Sequence, residues 1–67
     1  MNTSLIAVDS TNGAQHTIIE SNEIILIPAV GDRIVYDSKE CRVDSRTFNY
    51  YEYGCVVGLL VTVLQNL

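Results

Sequence analysis

An all-β fold is what this sequence predicts: a small barrel, or a strongly bent antiparallel sheet, of five to six short strands. Three observations carry the prediction. The apolar runs are short and rich in β-branched residues, as in Ile24-Ile25-Leu26-Ile27. Turn-forming clusters separate them at Asn12-Gly13 and at Asp37-Ser38-Lys39-Glu40. No segment keeps an apolar period of 3.6 residues, so none reads as an amphipathic helix. Short strands joined by hairpins lead to a barrel or a bent sheet, and closure removes exposed edges.

The first predicted strand is Leu5-Ile6-Ala7-Val8. Asn-Gly accepts positive φ at both turn positions, so 12–13 reads as a hairpin turn that returns the chain from Ala14 to about Glu20. With Asn12 and Gly13 central, Val8 faces Thr17 and Ile6 faces Ile19, which puts Ile6, Val8 and Ile19 on one face. Glu23-Ile24-Ile25-Leu26-Ile27 reads as the next strand, ended by Pro28, which has no N–H to give a ladder. A short strand from Arg33 to Tyr36 and the polar turn at 37–40 then lead into Cys41-Arg42-Val43.

From Cys41 the apolar parity begins on odd positions (Cys41, Val43) and moves to even ones (Phe48, Tyr50). The switch near Thr47 predicts a β-bulge, which adds one residue to a strand. Tyr51-Glu52-Tyr53-Gly54 forms a hairpin tip, with Gly54 supplying unusual backbone angles. In that hairpin Tyr50 lies opposite Cys55 and Cys41 opposite Leu64. The last strand, Cys55 to Leu64, is apolar on both faces: Cys55, Val57, Leu59, Val61 and Val63 on one, Val56, Leu60 and Leu64 on the other. A ten-residue helix is the competing assignment. Its β-branched residues (Val56, Val57, Val61, Thr62, Val63) and the interruption at Gly58 decide for strand.

Sixty-seven residues and 7.4 kDa make one small domain, residues 1–67. Scaling laws give a chain of this mass about 4,200 Å² of folded surface and burial of about 60% of its extended surface, a marginal core. Hydrophobic residues at 48% and charged ones at 18% are too apolar a mix for a disordered tail. No run of about 18 apolar residues could cross a membrane as a helix. Met1 to Asp9 lacks the basic start and longer apolar core of a secretory signal, which predicts a cytoplasmic protein with Cys41 and Cys55 reduced.

Eight acidic and four basic residues give a net charge of −4 and a pI near 4.5. Nucleic-acid binding draws most of its affinity from Lys and Arg on phosphate, so this balance argues against direct DNA or RNA binding. Arg33, Lys39, Arg42 and Arg46 share one stretch, but Asp32, Asp37, Glu40 and Asp44 interleave with them, as on a mixed solvated face.

Pro28-Ala29-Val30-Gly31-Asp32 before the strand at 33–36, then the polar hairpin, Cys41-Arg42-Val43-Asp44-Ser45-Arg46-Thr47-Phe48-Asn49-Tyr50 and a final apolar strand, resembles a pattern of small bacterial and phage proteins with an SH3-like β-barrel. The resemblance spans about the C-terminal 40 residues. It departs from the pattern at Cys41, where an aromatic is usual, and in the greasier last strand. It implies a small SH3-like barrel and carries no function.

Catalysis by a nucleophile needs a base within reach and a group to orient it. His16, the one histidine, sits mid-strand and reads as a surface residue, and two remote cysteines supply no Cys-His signature. Cys41, Cys55 and His16 lack zinc-ligand spacing, the glycines at 13, 31, 54 and 58 are isolated, and Glu20, Glu23, Asp37 and Glu40 read as solubilising turn residues. The prediction is a non-enzymatic protein without metal or cofactor.

The distinctive cluster is Phe48, Tyr50, Tyr51 and Tyr53 beside Arg46. Tyrosine and arginine are over-represented at protein-binding hot spots. Against this stands the reading that Phe48 and one tyrosine cap the core; alternation sends Phe48 and Tyr50 to one face and Tyr51 and Tyr53 to the other. An aromatic platform can also stack single-stranded bases, which the acidic composition disfavours.

Two functions are expected. The first is a protein-binding or assembly module that presents Arg46, Tyr50, Tyr51 and Tyr53 to a protein partner and forms a homodimer through Val56, Leu60 and Leu64, the second apolar face of the last strand. The alternative is a phage or mobile-element inhibitor that imitates the acidic surface of nucleic acid and blocks a host nucleoprotein complex. Clustered carboxylates would favour the second.

Overall fold

The computed structural model describes residues 2–23 and 25–67, in which five strands and no helix are found. They are β1 (Asn2–Asp9), β2 (Gln15–Ser21), β3 (Arg33–Tyr36), β4 (Lys39–Tyr51) and β5 (Gly54–Asn66). The sheet runs β2-β1-β5-β4-β3, and all neighbours are antiparallel except β1 and β5, which are parallel. The sheet is therefore mixed rather than antiparallel throughout. Its two outer strands curl toward each other until His16 on β2 and Tyr36 on β3 touch, ring centroids 5.2 Å apart, so the sheet is a nearly closed barrel.

β5 is the middle strand. This suits a segment apolar on both faces, because neighbours on each side satisfy its backbone while one face fills the interior. Cys55, Val57, Leu59 and Val61 are buried there with Leu5 and Ala7 of β1 and Cys41 and Val43 of β4. The opposite set, Val56, Leu60 and Leu64, faces outward, Leu60 and Leu64 about two-fifths exposed.

The first hairpin differs from its expected form. Asp9 donates its N–H to the Ala14 carbonyl and accepts that of Gly13, so the loop holds Ser10 to Gly13. The Asp9 carboxylate takes the Thr11 N–H and the Asn12 side chain takes the Ala14 N–H, two local bonds that stabilise the wider loop over a two-residue turn. Ile6 consequently faces Thr17 and Val8 faces Gln15, while Leu5 faces Ile19 across a bulge that leaves Ile18 unpaired. Gly13 has the expected positive φ, +73°. The two-residue turn with positive φ at both positions occurs instead at Asp37 (+50°) and Ser38 (+57°), closing β3 onto β4.

The strand expected at Glu23–Ile27, of which Ile24 lies outside the described residues, does not form. Residues 25–29 carry no ladder; Ile25 and Ile27 pack against the core and Leu26 projects outward, 94% exposed. A tight turn follows, with the Asp32 N–H on the Ala29 carbonyl, Gly31 at φ +94°, and the Asp32 carboxylate on the Ala29 N–H at 2.8 Å. Hence the Pro-x-x-Gly-Asp spacing: glycine for the backbone angle, aspartate for the closing bond.

The parity switch in β4 is a bulge at Asp44, three residues before the expected site, and a second irregularity lies between Glu40 and Cys41. Tyr50 faces Cys55 as expected, whereas the Asp44 bulge puts Cys41 opposite Val63, not Leu64. Both cysteines are free and buried. Eight residues of β5 separate their positions, roughly 26 Å at 3.3 Å per residue, far beyond the ~7 Å between bridged Cα atoms.

Candidate functional site

The 13-residue strands β4 and β5 outrun the rest of the barrel. The molecule measures 36 × 19 × 18 Å, and its 4550 Å² of accessible surface exceeds the roughly 4,200 Å² expected for its mass. The excess comes with the aromatic hairpin: from Ser45 to Tyr51 every residue of β4 is exposed.

The tip turns through Glu52 and Tyr53, with Tyr51 opposite Gly54 and the Asn2 N–H on the Tyr53 carbonyl. Gly54 is required, though not for the reason the sequence suggested. Positive φ among the glycines belongs to Gly13 and Gly31, whereas a Cβ on Gly54 would run into the Asn2 backbone carbonyl. Glycine lets β1 start alongside β5 at this end.

Past the Asp44 bulge, Arg46, Phe48 and Tyr50 lie across from Leu59, Val57 and Cys55, the core-facing set of β5. Phe48 and Tyr50 stack, centroids 6.5 Å apart and planes at 15°, and the Arg46 guanidinium lies 5.5 Å from the Phe48 centroid. Phe48 and Tyr50, with Thr3, Ile25, Ile27, Cys55 and Val57, line an apolar cleft of about 250 Å³ at the mouth of the core. Both readings of the cluster therefore hold in part: Phe48 and Tyr50 stand over the core, yet remain 42% and 76% exposed. Tyr51 follows Asn49 on the other face and Tyr53 sits in the turn, both exposed, so the four residues Arg46, Tyr50, Tyr51 and Tyr53 surround the tip without forming one flat patch.

The other end holds a second polar constellation. Cys41 lies beside the Tyr36 phenol, and burial pushes both groups above their ordinary values, with Asp9 adding to the shift. A thiol held neutral is a poor nucleophile. His16, which contacts Tyr36, is exposed on its strand, and no cluster of three metal-ligating side chains occurs among the described residues.

The charges pair locally. Arg33 meets Glu40, Lys39 meets Asp37, and Arg42 meets Asp44, an arrangement that fits a mixed solvated face. Asp44 also accepts a 2.5 Å bond from the Thr62 hydroxyl, and that bond, with Arg42, holds its carboxyl below the usual range. Thr62 thus places a polar contact between Leu60 and Leu64 on the outer face of β5. Ile6 and Val8, half-buried on β1 opposite Gly58 and Leu60, widen the apolar part of that face.

Sequence reasoning missed Ile25 and Ile27 as the inner wall of the cleft. Pro28 was the available signal, since it has no N–H to give a ladder and holds the residue before it extended. The fold and site define the chain as a five-stranded, nearly closed β-barrel with an exposed aromatic hairpin. Set against known protein families, curated proteins and solved structures, it matches none. Among the described residues no helix is long and apolar enough to cross a membrane.

Proposed function

We propose that this protein is a non-enzymatic protein-binding module that works through its β4–β5 hairpin, Arg46, Tyr50, Tyr51 and Tyr53 making the contact. The observation behind the reading is the run of seven exposed β4 residues, which carries three aromatics next to an apolar cleft. Rigid amphipathic rings presented on a strand lose little entropy on binding, and the cleft accepts an apolar side chain of the partner. The SH3-like reading belongs to this proposal, resting on the Pro28–Asp32 turn and the hairpin after it.

Assembly through the outer face of β5, by Val56, Leu60 and Leu64, belongs to the same proposal, with Thr62 as a polar break in the apolar set. A nucleic-acid mimic needs clustered free carboxylates, whereas here they stand at both ends of the barrel and three are paired with cations. The test is affinity capture from cells of the source with the wild-type chain and with Tyr50→Ala and Tyr51→Ala, each variant checked for native circular dichroism. A protein held by the wild type and lost from both variants supports the reading, and equal retention by all three refutes it. Leu60→Glu tests the β5 face by whether it lowers the mass in solution.

A further inference from the structure

Among the described residues, the outer half of β4 has an edge without backbone partners, its one polar contact to the passing segment being the Arg46 guanidinium, which donates to the Pro28 carbonyl at 3.5 Å. β3 pairs only with Lys39 to Arg42, and Gly31 and Asp32 take the backbone groups of Val43. Beyond the bulge no backbone hydrogen bond among the described residues reaches the outer side of Ser45 to Tyr51. Proteins usually blunt such an edge with lysine, proline or a covering loop. Here the only charge between 45 and 51 is Arg46.

The residues that present their N–H and C=O outward follow from the ladder. Val43 sends both groups toward Gly31 and Asp32, away from β5, and its partner Val61 sends its carbonyl to Ser10 beside β1. Core-facing residues of β4 therefore point their backbone outward. Past the bulge these are Arg46, Phe48 and Tyr50, set against the core-facing Leu59, Val57 and Cys55.

We propose that a second copy of this chain adds to this edge as an antiparallel strand, about a two-fold axis through Asn49. The proposal rests on the binding reading above and names the occupant of the same strand. In this register Phe48 lies opposite the second copy's Tyr50 and exchanges backbone bonds with it. Beyond that pair, the Arg46 side chain comes level with the second copy's Glu52 in the turn that follows its strand, and each contact forms twice. Aromatic pairs and opposite charges are the cross-strand partners that stabilise a ladder. The neighbouring registers lack this match: an axis at Phe48 sets Asp44 against Glu52, and an axis at Tyr50 sets Phe48 against Glu52. Self-complementary two-fold pairing is the commonest way for a chain to cover such a surface.

Light scattering on the full chain reads the association, with a mass near twice 7.4 kDa expected. Arg46→Glu and Glu52→Arg should each weaken the dimer roughly tenfold by setting like charges opposite, and the double variant should restore it. Asn49→Cys should link two copies under mild oxidation, because paired residues without mutual hydrogen bonds lie about 4.5 Å apart at Cα on the axis; Thr47→Cys should not. A monomeric mass at every concentration overturns the proposal. So does a dimer that ignores both charge variants and is lost with Leu60→Glu, which places the contact on the outer face of β5. A monomer that still captures a partner through Tyr50 and Tyr51 defeats the pairing and leaves the binding reading standing.

Discussion

Leu59 and Leu60 are consecutive residues of one strand with opposite surroundings, and alanine at each measures how the barrel divides inside from outside. Leu59 is fully buried between Ala7 of β1 and Arg46 of β4 and is among the largest buried side chains, whereas Leu60 is 40% exposed. Removing a fully buried leucine costs about 2 to 5 kcal/mol, the lost transfer energy plus that of the cavity. A chain of 67 residues has about 3 to 10 kcal/mol of total stability. Leu59→Ala therefore takes away about a fifth of it or more. At about 4 to 8 °C per kcal/mol for a domain this small, a loss of about 3 kcal/mol lowers the unfolding midpoint by roughly 12 to 24 °C. Leu60→Ala gives up only part of a burial worth about 1.5 to 3 kcal/mol, so about 1 kcal/mol is expected. Urea unfolding followed by circular dichroism, with the slope m unchanged, reads both losses. Equal losses, or a larger one at Leu60, would refute the assignment of odd positions to the interior.

Gly54→Ala forces β1 away from β5 at Asn2 and should cost about 2 kcal/mol, in the range of overpacked sites. Gly58→Ala, where a Cβ meets only the Thr47 carbonyl at 4.0 Å, should be tolerated, and thermal melts of the two compare them. Ser38→Gly relieves a positive φ at a non-glycine residue and should raise stability by about 1 kcal/mol in the same assay. Burial raises Cys41 above its ordinary 9.0 and Tyr36 above 10.0, so their stabilisation is complete below those values and is lost as pH rises through the higher values of the folded state. Melting midpoints should fall from about pH 9 upward, and Cys41→Val should make that fall shallower; an unchanged slope would remove Cys41 as its cause.

The fold class, the tip hairpin and the 33–43 hairpin were legible because each rests on chemistry within a few residues: β-branched runs, a polar tetrad, the Tyr-Glu-Tyr-Gly turn. The first hairpin was misread because Asp9 and Asn12 offer side-chain bonds that compete with the Asn-Gly turn, and pattern alone does not weigh them. Ile25 and Ile27 alternate with Leu26 as strand residues do, and only the course of the chain across the barrel mouth shows that they plug it. The position of β5 was half legible: two apolar faces announced cover on both sides, but one cover is the neighbouring strands and the core, and the other face stays largely open. In the candidate site, alternation placed Phe48 and Tyr50 together correctly. The unpaired edge beside them depends on β3 ending four residues into its pairing with β4, which no local signal records.

The parallel pairing of β1 with β5 governs when this protein can fold. Without β5 the remaining strands are two separate hairpins, β1–β2 and β3–β4, with no ladder between them. Two-stranded hairpins are marginal in water, so a nascent chain ending before Gly54 has little to hold it together. Folding waits for β5 to be synthesised and then joins it to β1, at the cost of closing the long loop between them. Such long-range pairing folds slowly for its size and leaves the apolar residues of β1 and β4 open to other chains until β5 is available.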